Sequence, residues 1–524
     1  MNTLAFNIPH RKLYIYFLMF LVFGVSLSKP LMSISIIALA LNWIFEGNFI
    51  EKIKKNKSYG YAPIILSAAF FIEVIWMLKT EVLSEGIFEL KTKLPMLFLP
   101  LIIGTSKALE KPDVKKIIYS FYAGLFISSI MVFAADLNLI PTKNNSGTFR
   151  DNSIFMSHIR YSALVSFGVL LLVHLRNKIK HKVYAVIMIL WFLYILYILQ
   201  SLTGILCLCL SGFLYLSIKI YCEGIKKRIK TVLALGLPIL GIVLYTLNIY
   251  YDYTIIKDNN SLSALTPTTK LGEKYIHDLN NLEIENGNYL WINIAPKEAE
   301  KTWNEISKVK FNDNDLRGQP IKYTLYRYLT SKGLKKDREG VMSLTPSDIK
   351  RIESGHTTHM NYNLFEKRVR GVYFELTNYK NGQKSNNHSL TQRITFLEIA
   401  SQILKEDFYL GKGTGGTKSA YRKYYLKEQK GLSHQNQLRA HNQFITQFIN
   451  LGLIGFLLWI VSILYPVLIF KPKHNALYYS FLLIIFISFL ADDMLERQAG
   501  VTIFTAFNAL LLFGITNKNY SLSS

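Results

Sequence analysis

About twelve stretches of this chain are apolar for close to the length needed to cross a bilayer: roughly 13–28, 31–46, 61–79, 94–109, 115–135, 159–175, 183–200, 202–222, 231–248, 443–470, 477–491 and 499–516. Backbone groups in hydrocarbon find no water, so such stretches must fold as helices or join a closed barrel. Their continuous apolarity, without strict alternation, selects helices. Composition agrees: 50% of residues are hydrophobic, 18% are charged, and mean hydropathy is +0.22. Arg11 and Lys12 precede the first stretch in the manner of a signal peptide. No small-residue cleavage site follows, and a second apolar stretch begins at once, which favours an uncleaved helix.

The connections between these stretches alternate in charge. One set carries Arg11/Lys12, Lys52/Lys54/Lys55/Lys57, Lys107/Lys111/Lys115/Lys116, Arg176/Lys178/Lys180/Lys182, Lys226/Lys227/Arg228/Lys230 and Lys471/Lys473. The other holds the short SKP, TEVLSEGIFE, the polar 136–158 segment, QSLTG and ADDMLERQ. The basic set is expected to be cytoplasmic, which puts both termini inside and the long connection from about Tyr250 to Asn442 outside. Much of the formal charge of +25 is therefore topology signal, not a surface for nucleic acid. Cys207, Cys209 and Cys222 all lie in one apolar stretch, so the long connection has neither a disulfide nor a thiolate metal site.

A connection of that length must contain structure of its own. YLWINIA (289–295) reads as a strand, with Pro296, Glu298 and Glu300 opening a helix after it. In TPSDIKRIESG, Thr345 is the N-cap, Pro346 is N1, Asp348 stands near N3 and Gly355 ends the helix. QRITFLEIASQILKE (392–406) is amphipathic, with Phe396, Leu397, Ile399, Ala400, Ile403 and Leu404 on one broad face. From 250 to 442 there are 30 Lys/Arg against 21 Asp/Glu, and from Lys412 to Arg439 seven bases against Glu428 alone. Such a stretch suits an anionic headgroup or a phosphate-bearing substrate, or is simply a solvated face.

Four sets of residues are candidates for chemistry. GKGTGGTKS (411–419) has the glycine separation of a nucleotide loop, but Thr417 stands where the lysine is required, and the topology puts it where ATP is absent. It remains either a turn whose N–H groups face an anion or a turn that ends a helix. In RAHNQFITQFINLGLIGF (439–456), His441 lies at the outer mouth of a membrane helix. It is a base if kept uncharged, which neighbouring Arg439 favours; otherwise it is an ordinary interfacial histidine. Arg160 and Arg393 each open a helix and either grip phosphate or snorkel to headgroups. Asp492, Asp493 and Glu496 with Arg497 form a compact cluster that orients a histidine, binds an acceptor, or is only an ion-paired loop. His356, His359, His388 and His434 have no partner carboxylate at metal-ligand spacing, so no metal is expected.

HNQFITQFINLGLIGF after one large external segment, preceded by GKGTGG and SLTQRITFLEIASQIL, resembles the O-antigen ligase and polymerase superfamily. DDMLERQAGVTIFTAFNALLL, SHIRYS, ENGNYLWINI and YLTSKGLKKD resemble Bacteroidetes-type members. The resemblance runs from about residue 150 to 516; the N-terminal quarter shares only its hydrophobicity. It implies a bacterial inner-membrane enzyme with its active site facing the periplasm. Such an enzyme moves a glycan from undecaprenyl diphosphate to lipid A–core, to another glycan unit, or to protein, with inversion and without metal or cofactor. It implies His441 as the base, and Arg393 and Arg160 as anchors of the diphosphate. Lys412, Lys418, Arg422, Arg439, Asn442 and Glu496 are the surrounding candidate substrate contacts. Many members carry a Ser-Arg pair where this chain has Leu202-Thr203; Arg160, Arg317, Arg368 or Arg370 would then supply the missing charge.

The fold expected is an all-α polytopic membrane protein of about twelve transmembrane helices. It divides into an N-terminal membrane domain (1–249), one large mixed α/β-containing periplasmic segment (250–442) and a C-terminal membrane domain (443–524). The leading function is O-antigen ligase. A polymerase or a protein O-oligosaccharyltransferase is the alternative within the family. A polysaccharide or lipid transporter is the alternative outside it, and would show charged residues inside several helices and internal repeats. Glu73 is the main mid-helix ionisable residue, and no repeat is evident. The partners expected are the lipid-linked donor, the acceptor and membrane lipids, with no nucleotide and no nucleic acid.

Overall fold

The computed structural model describes residues 9–142, 149–176, 182–221, 240–241, 243–255, 262, 265–281, 283–380, 389–428, 437–470 and 475–514. Two compact units emerge. The first comprises Met1–Leu233, Phe396–Lys430 and Gln437–Ser524; the second comprises Ala234–Thr395 and Gly431–Asn436. Residues 396–430, assigned from sequence to the large connection, thus pack with the first unit.

The first unit is a helix bundle: α1 (His10–Gly24), α2 (Lys29–Phe45), α3 (Phe49–Ser58), α4 (Ala62–Trp76), α5 (Leu83–Thr105), α6 (Lys111–Asp136), α7 (His158–Leu175), α8 (Lys182–Leu199) and α9 (Leu202–Tyr221). Six helices are long and apolar enough to cross a membrane, or seven if bent α2–α3 counts as one span. The expected twelve is therefore not reached among the described residues. Each expected stretch outside 231–239 does fall on a helix, but several are short: α1 has 15 residues and α2 has 17. At 1.5 Å per residue these reach about 22–26 Å, less than the ~30 Å hydrocarbon core. Between α2 and α3 the chain turns through 108°. α7 is buried around most of its circumference, with Phe167 against Phe121, Phe481 and Phe507.

The second unit is built from α10 (Pro296–Ile306), α11 (Ile321–Ser331), α12 (Arg338–Met342), α13 (Pro346–Glu353) and α14 (Leu364–Lys380). Its core is Leu290, Trp303, Phe311, Leu325, Tyr328, Val341 and Ile352. Among the described residues the mixed α/β character expected of this region is reduced to one short strand pair and isolated bridges. Its paired strands are β1 (Ile284–Glu285) and β2 (Asn288–Tyr289), joined by Asn286 and Gly287 at positive φ, the tight hairpin that an Asn-Gly pair favours. YLWINIA gives only the end of β2 and a bridge at Ile294, because its apolar residues Leu290 and Ile294 pack on the helices. The capping box is as expected: Thr345 accepts from the Asp348 amide, and Asp348 accepts from that of Thr345.

α15 (Ser389–Glu406) runs into the first unit, with Phe396, Ile399, Ala400 and Ile403 buried. After it come α16 (Gly416–Glu428), α17 (Gln443–Phe470), α18 (Ala476–Ala491) and α19 (Gln498–Ala509).

Candidate active site

α17 is among the spans, yet its helix is broken at Gly452, where φ is +61° and ψ is −174°. That backbone region is essentially open only to glycine. The break frees carbonyls before it and amides after it, and these need partners. The glycine loop supplies them. Lys412 N donates to the Ile449 carbonyl (2.8 Å) and Gly413 N to that of Asn450 (2.9 Å). In return, Leu453 N donates to Phe408 O (2.8 Å) and Ile454 N to Tyr409 O (3.2 Å). The two chains touch so closely that a Cβ on Gly452 would lie 2.4 Å from Gly411 N.

This corrects the phosphate-cradle reading of GKGTGG. Gly411 N is bound to Asp407 O, Gly415 N to Glu89 Oε2 (3.0 Å) and Thr417 N to Asn450 Oδ1 (2.9 Å). The loop's amides are used inside the bundle, on backbone carbonyls, Asn450 and the protein's own Glu89, so none of these is left for a phosphate. The helix-ending reading holds instead, and the connection to His441 contains a helix, α16, that the glycine pattern did not suggest.

Beneath the loop lies a buried ion cluster. Lys93 Nζ is 2.7 Å from Glu73 Oε1, 3.2 Å from Glu89 Oε2 and 3.5 Å from Glu496 Oε1. Thr414 Oγ1 donates to Glu73 Oε2 (3.0 Å), and Asn450 Nδ2 reaches Glu89 Oε2 (3.3 Å). Buried charges survive only when paired and hydrogen-bonded in this way. Glu73 is therefore not the lone ionisable residue inside the helices. Glu89 and Lys93 sit one turn apart within α5, a helix whose charged first half hides it from a search for apolar runs. Their i, i+4 spacing was the available signal.

Glu496 links this cluster to the turn between α18 and α19. Arg439 Nη1 is 3.4 Å from Glu496 Oε2, and Arg439 Nε is 2.8 Å from Asp493 Oδ2. Thr446 Oγ1 donates to Asp493 Oδ1 (2.7 Å), and Gln443 Oε1 accepts from Leu495 N (2.6 Å). Burial works to raise Glu496, but Lys93 and Arg439 hold it down to about 2. Burial raises Asp493 from its ordinary value, opposed by Arg439 and His441. Arg160, buried at the start of α7, reaches the same turn through Asp492 Oδ2 (2.8 Å) and the Asp493 carbonyl (3.3 Å). Its guanidinium is thus committed to holding the turn.

His441 stands just before α17 with φ +49°, an uncommon conformation that histidine tolerates better than most residues. Its side chain is 36% exposed, and Nδ1 lies 3.8 Å from Asp493 Oδ2, too far for a hydrogen bond. The Phe396 ring packs edge-on at 6.3 Å. Asn442 Oδ1 caps α17 by accepting from Ile445 N (3.2 Å), and its amide reaches the Leu490 carbonyl. The structure thus gathers His441, Arg439, Asn442, Glu496 and Arg160 around one buried turn, with the histidine side chain 36% exposed.

Lys412, Lys418 and Arg422 lie on the glycine loop and α16. Lys412 is bound by Glu406 (2.8 Å) and Asp407 (2.7 Å), Lys418 by Glu85 (3.4 Å) and Lys423 by Glu81 (2.9 Å); Arg422 is exposed. Lys412 is therefore met by the acids at the end of α15, and Lys418 and Lys423 by acids distant in sequence, which local composition could not reveal. Arg393 is half-buried in the part of α15 that belongs to the second unit. So do Arg317, exposed beside Gly355, and Arg370, which is paired with Asp252 and Glu366 and stacked on Tyr362.

A bundle of apolar helices with a partly exposed histidine beside a buried carboxylate–arginine turn defines a membrane protein with a polar cluster inside its helices. Residues 349–460 match the family model described as O-Antigen ligase, a match that supports membership of an O-antigen ligase-like superfamily. The match spans Arg393, the glycine loop, His441 and Gly452. No curated protein matches the chain.

Proposed function

We propose that the protein is an O-antigen ligase, transferring a glycan from undecaprenyl diphosphate to lipid A–core on the periplasmic face of the bacterial inner membrane. The observation that carries this reading is the placement of His441: half-open at the mouth of a span, over Asp493, inside the segment that matches the family. His441 takes the proton of the acceptor hydroxyl as its oxygen bonds to the anomeric carbon. The bond from that carbon to the diphosphate oxygen breaks, and the electron pair leaves with the diphosphate. Attack opposite the leaving group inverts the centre. Asp493 stabilises the imidazolium that forms. Arg393 neutralises charge on the departing diphosphate, a role that lets the reaction proceed without a metal ion. Arg160 acts through the turn it holds, positioning Asp493.

Mass analysis of glycolipids from a deletion strain tests the assignment. Unsubstituted lipid A–core with polymer retained on the carrier supports the ligase. A core capped with a single repeat unit identifies a polymerase instead, and loss of protein glycans identifies a protein-directed enzyme.

A further inference from the structure

The first unit contains a cleft of about 250 Å³ lined by Glu81, Glu406, Lys412, Lys423 and Tyr424, with Gly416, Ser419 and Ala420 as its helical wall. It is separate from the turn that carries His441, yet both use α16. Residues 416, 419, 420, 423 and 424 form one stripe of that helix and line the cleft. Thr417, Tyr421 and Tyr425 form the next stripe and face the site. Thr417 bonds Asn450, Tyr425 Oη donates to the Leu438 carbonyl, and Tyr421 Oη donates to the carbonyl of Phe396, whose ring rests on His441. The cleft is therefore separated from His441 by α16 and the Phe396 ring, which is at least about one helix width, ~10 Å.

Its charges cancel. Glu406 accepts from Tyr424 Oη and pairs with Lys412, and Lys423 pairs with Glu81. A diphosphate gains nothing from a lining with no net charge. A hydroxyl-rich ligand does: carboxylates with spare lone pairs and ammonium groups with spare hydrogens bind hydroxyls, and the Tyr424 ring offers an apolar face for a sugar. The floor is preformed, because the glycine loop beneath it is locked to α17.

We propose that this cleft is a distal subsite for an uncharged saccharide segment of the transferred glycan or its acceptor, not a phosphate site. The proposal rests on the glycan-transfer reading. The reach to His441 suits a short oligosaccharide and exceeds a single sugar ring.

Amine-acylation footprinting of the full-length protein in lipid nanodiscs tests it. One probe is the phosphate-free oligosaccharide released by mild acid from the host's carrier lipids; the other is inorganic pyrophosphate. Near saturation, the oligosaccharide should slow labelling of Lys412 and Lys423 by about fivefold or more, while Lys418, outside the cleft, keeps its rate. Pyrophosphate should protect neither. Replacing Glu81→Gln and Lys423→Gln together, which keeps volume, should abolish the protection of Lys412, as should Tyr424→Ala alone. Protection by pyrophosphate, or no protection by the oligosaccharide, overturns the proposal. Failure of the His441 assignment in a transfer assay, with this footprint intact, would remove the mechanism and leave the subsite.

Discussion

Replacing Gly452 with alanine attacks the contact on which the site rests. Two costs add. An alanine held at φ +61°, ψ −174° is strained by roughly 1–3 kcal/mol. Its Cβ would also lie 2.4 Å from Gly411 N and 2.5 Å from the Leu410 backbone, so the two chains must part. Parting breaks the bonds from Lys412 and Gly413 to α17 and from Leu453 and Ile454 to the loop. At a net ~0.5–1.5 kcal/mol each, these contribute about 2–6 kcal/mol. The loss expected is thus at least about 3 kcal/mol, which speeds exchange of the protected amides by roughly a hundredfold. Hydrogen exchange followed by mass spectrometry on peptides covering 407–417 and 449–455 reads this directly. Gly371→Ala is the control, since nothing lies within 4 Å of a Cβ there. If Gly452→Ala exchanges no faster in these peptides than Gly371→Ala, the clamp is not what holds the broken span.

Three further outcomes follow from the same contacts. Lys93→Met leaves Glu73, Glu89 and Glu496 without their shared cation and should cost about 3–5 kcal/mol in detergent unfolding, with partial recovery when Glu73→Gln and Glu89→Gln are added. Burial lowers Lys336 from 10.5 to about 7, so between those values the folded second unit binds fewer protons than the unfolded chain. Stability there should rise with pH from about 7 to 10.5 and be flat below 7; Lys336→Met should remove the slope in melts followed by the buried Trp303. Thr345→Ala breaks the capping box and should cost about 1 kcal/mol, with faster exchange in the first turn of α13.

The sequence carried some of this plainly and some not at all. A capping box is local, so Thr345 and Asp348 could be read directly, as could Pro296 at the start of α10. The gathering of His441, Arg439 and Glu496 was legible once alternating charge had put both segments on one side. The glycine loop was read as half of an object. Its partner is the break at Gly452, and a glycine in an apolar run, with Gly455 one turn on, gives no sign that the helix stops there. Likewise Lys412, Lys418 and Lys423 form a basic stretch only along the chain; in space Glu406, Asp407, Glu85 and Glu81 answer them. Glu89 and Lys93 are hard to recognise as buried, because α5 mixes charge with apolar residues. Among the described residues six or seven of the expected twelve spans are long and apolar enough to cross, because an apolar run fixes a helix but not its length.

The central claim is that His441 is the base of a glycan transfer, and a reconstituted reaction tests it most directly. Purified full-length protein, carrier-linked glycan and lipid A–core are combined, and the product is quantified for wild type and His441→Ala. The account predicts a fall in kcat of about 10²–10⁴-fold in a variant that melts like wild type, with activity unaffected by EDTA in both. Undiminished transfer by folded His441→Ala would contradict it.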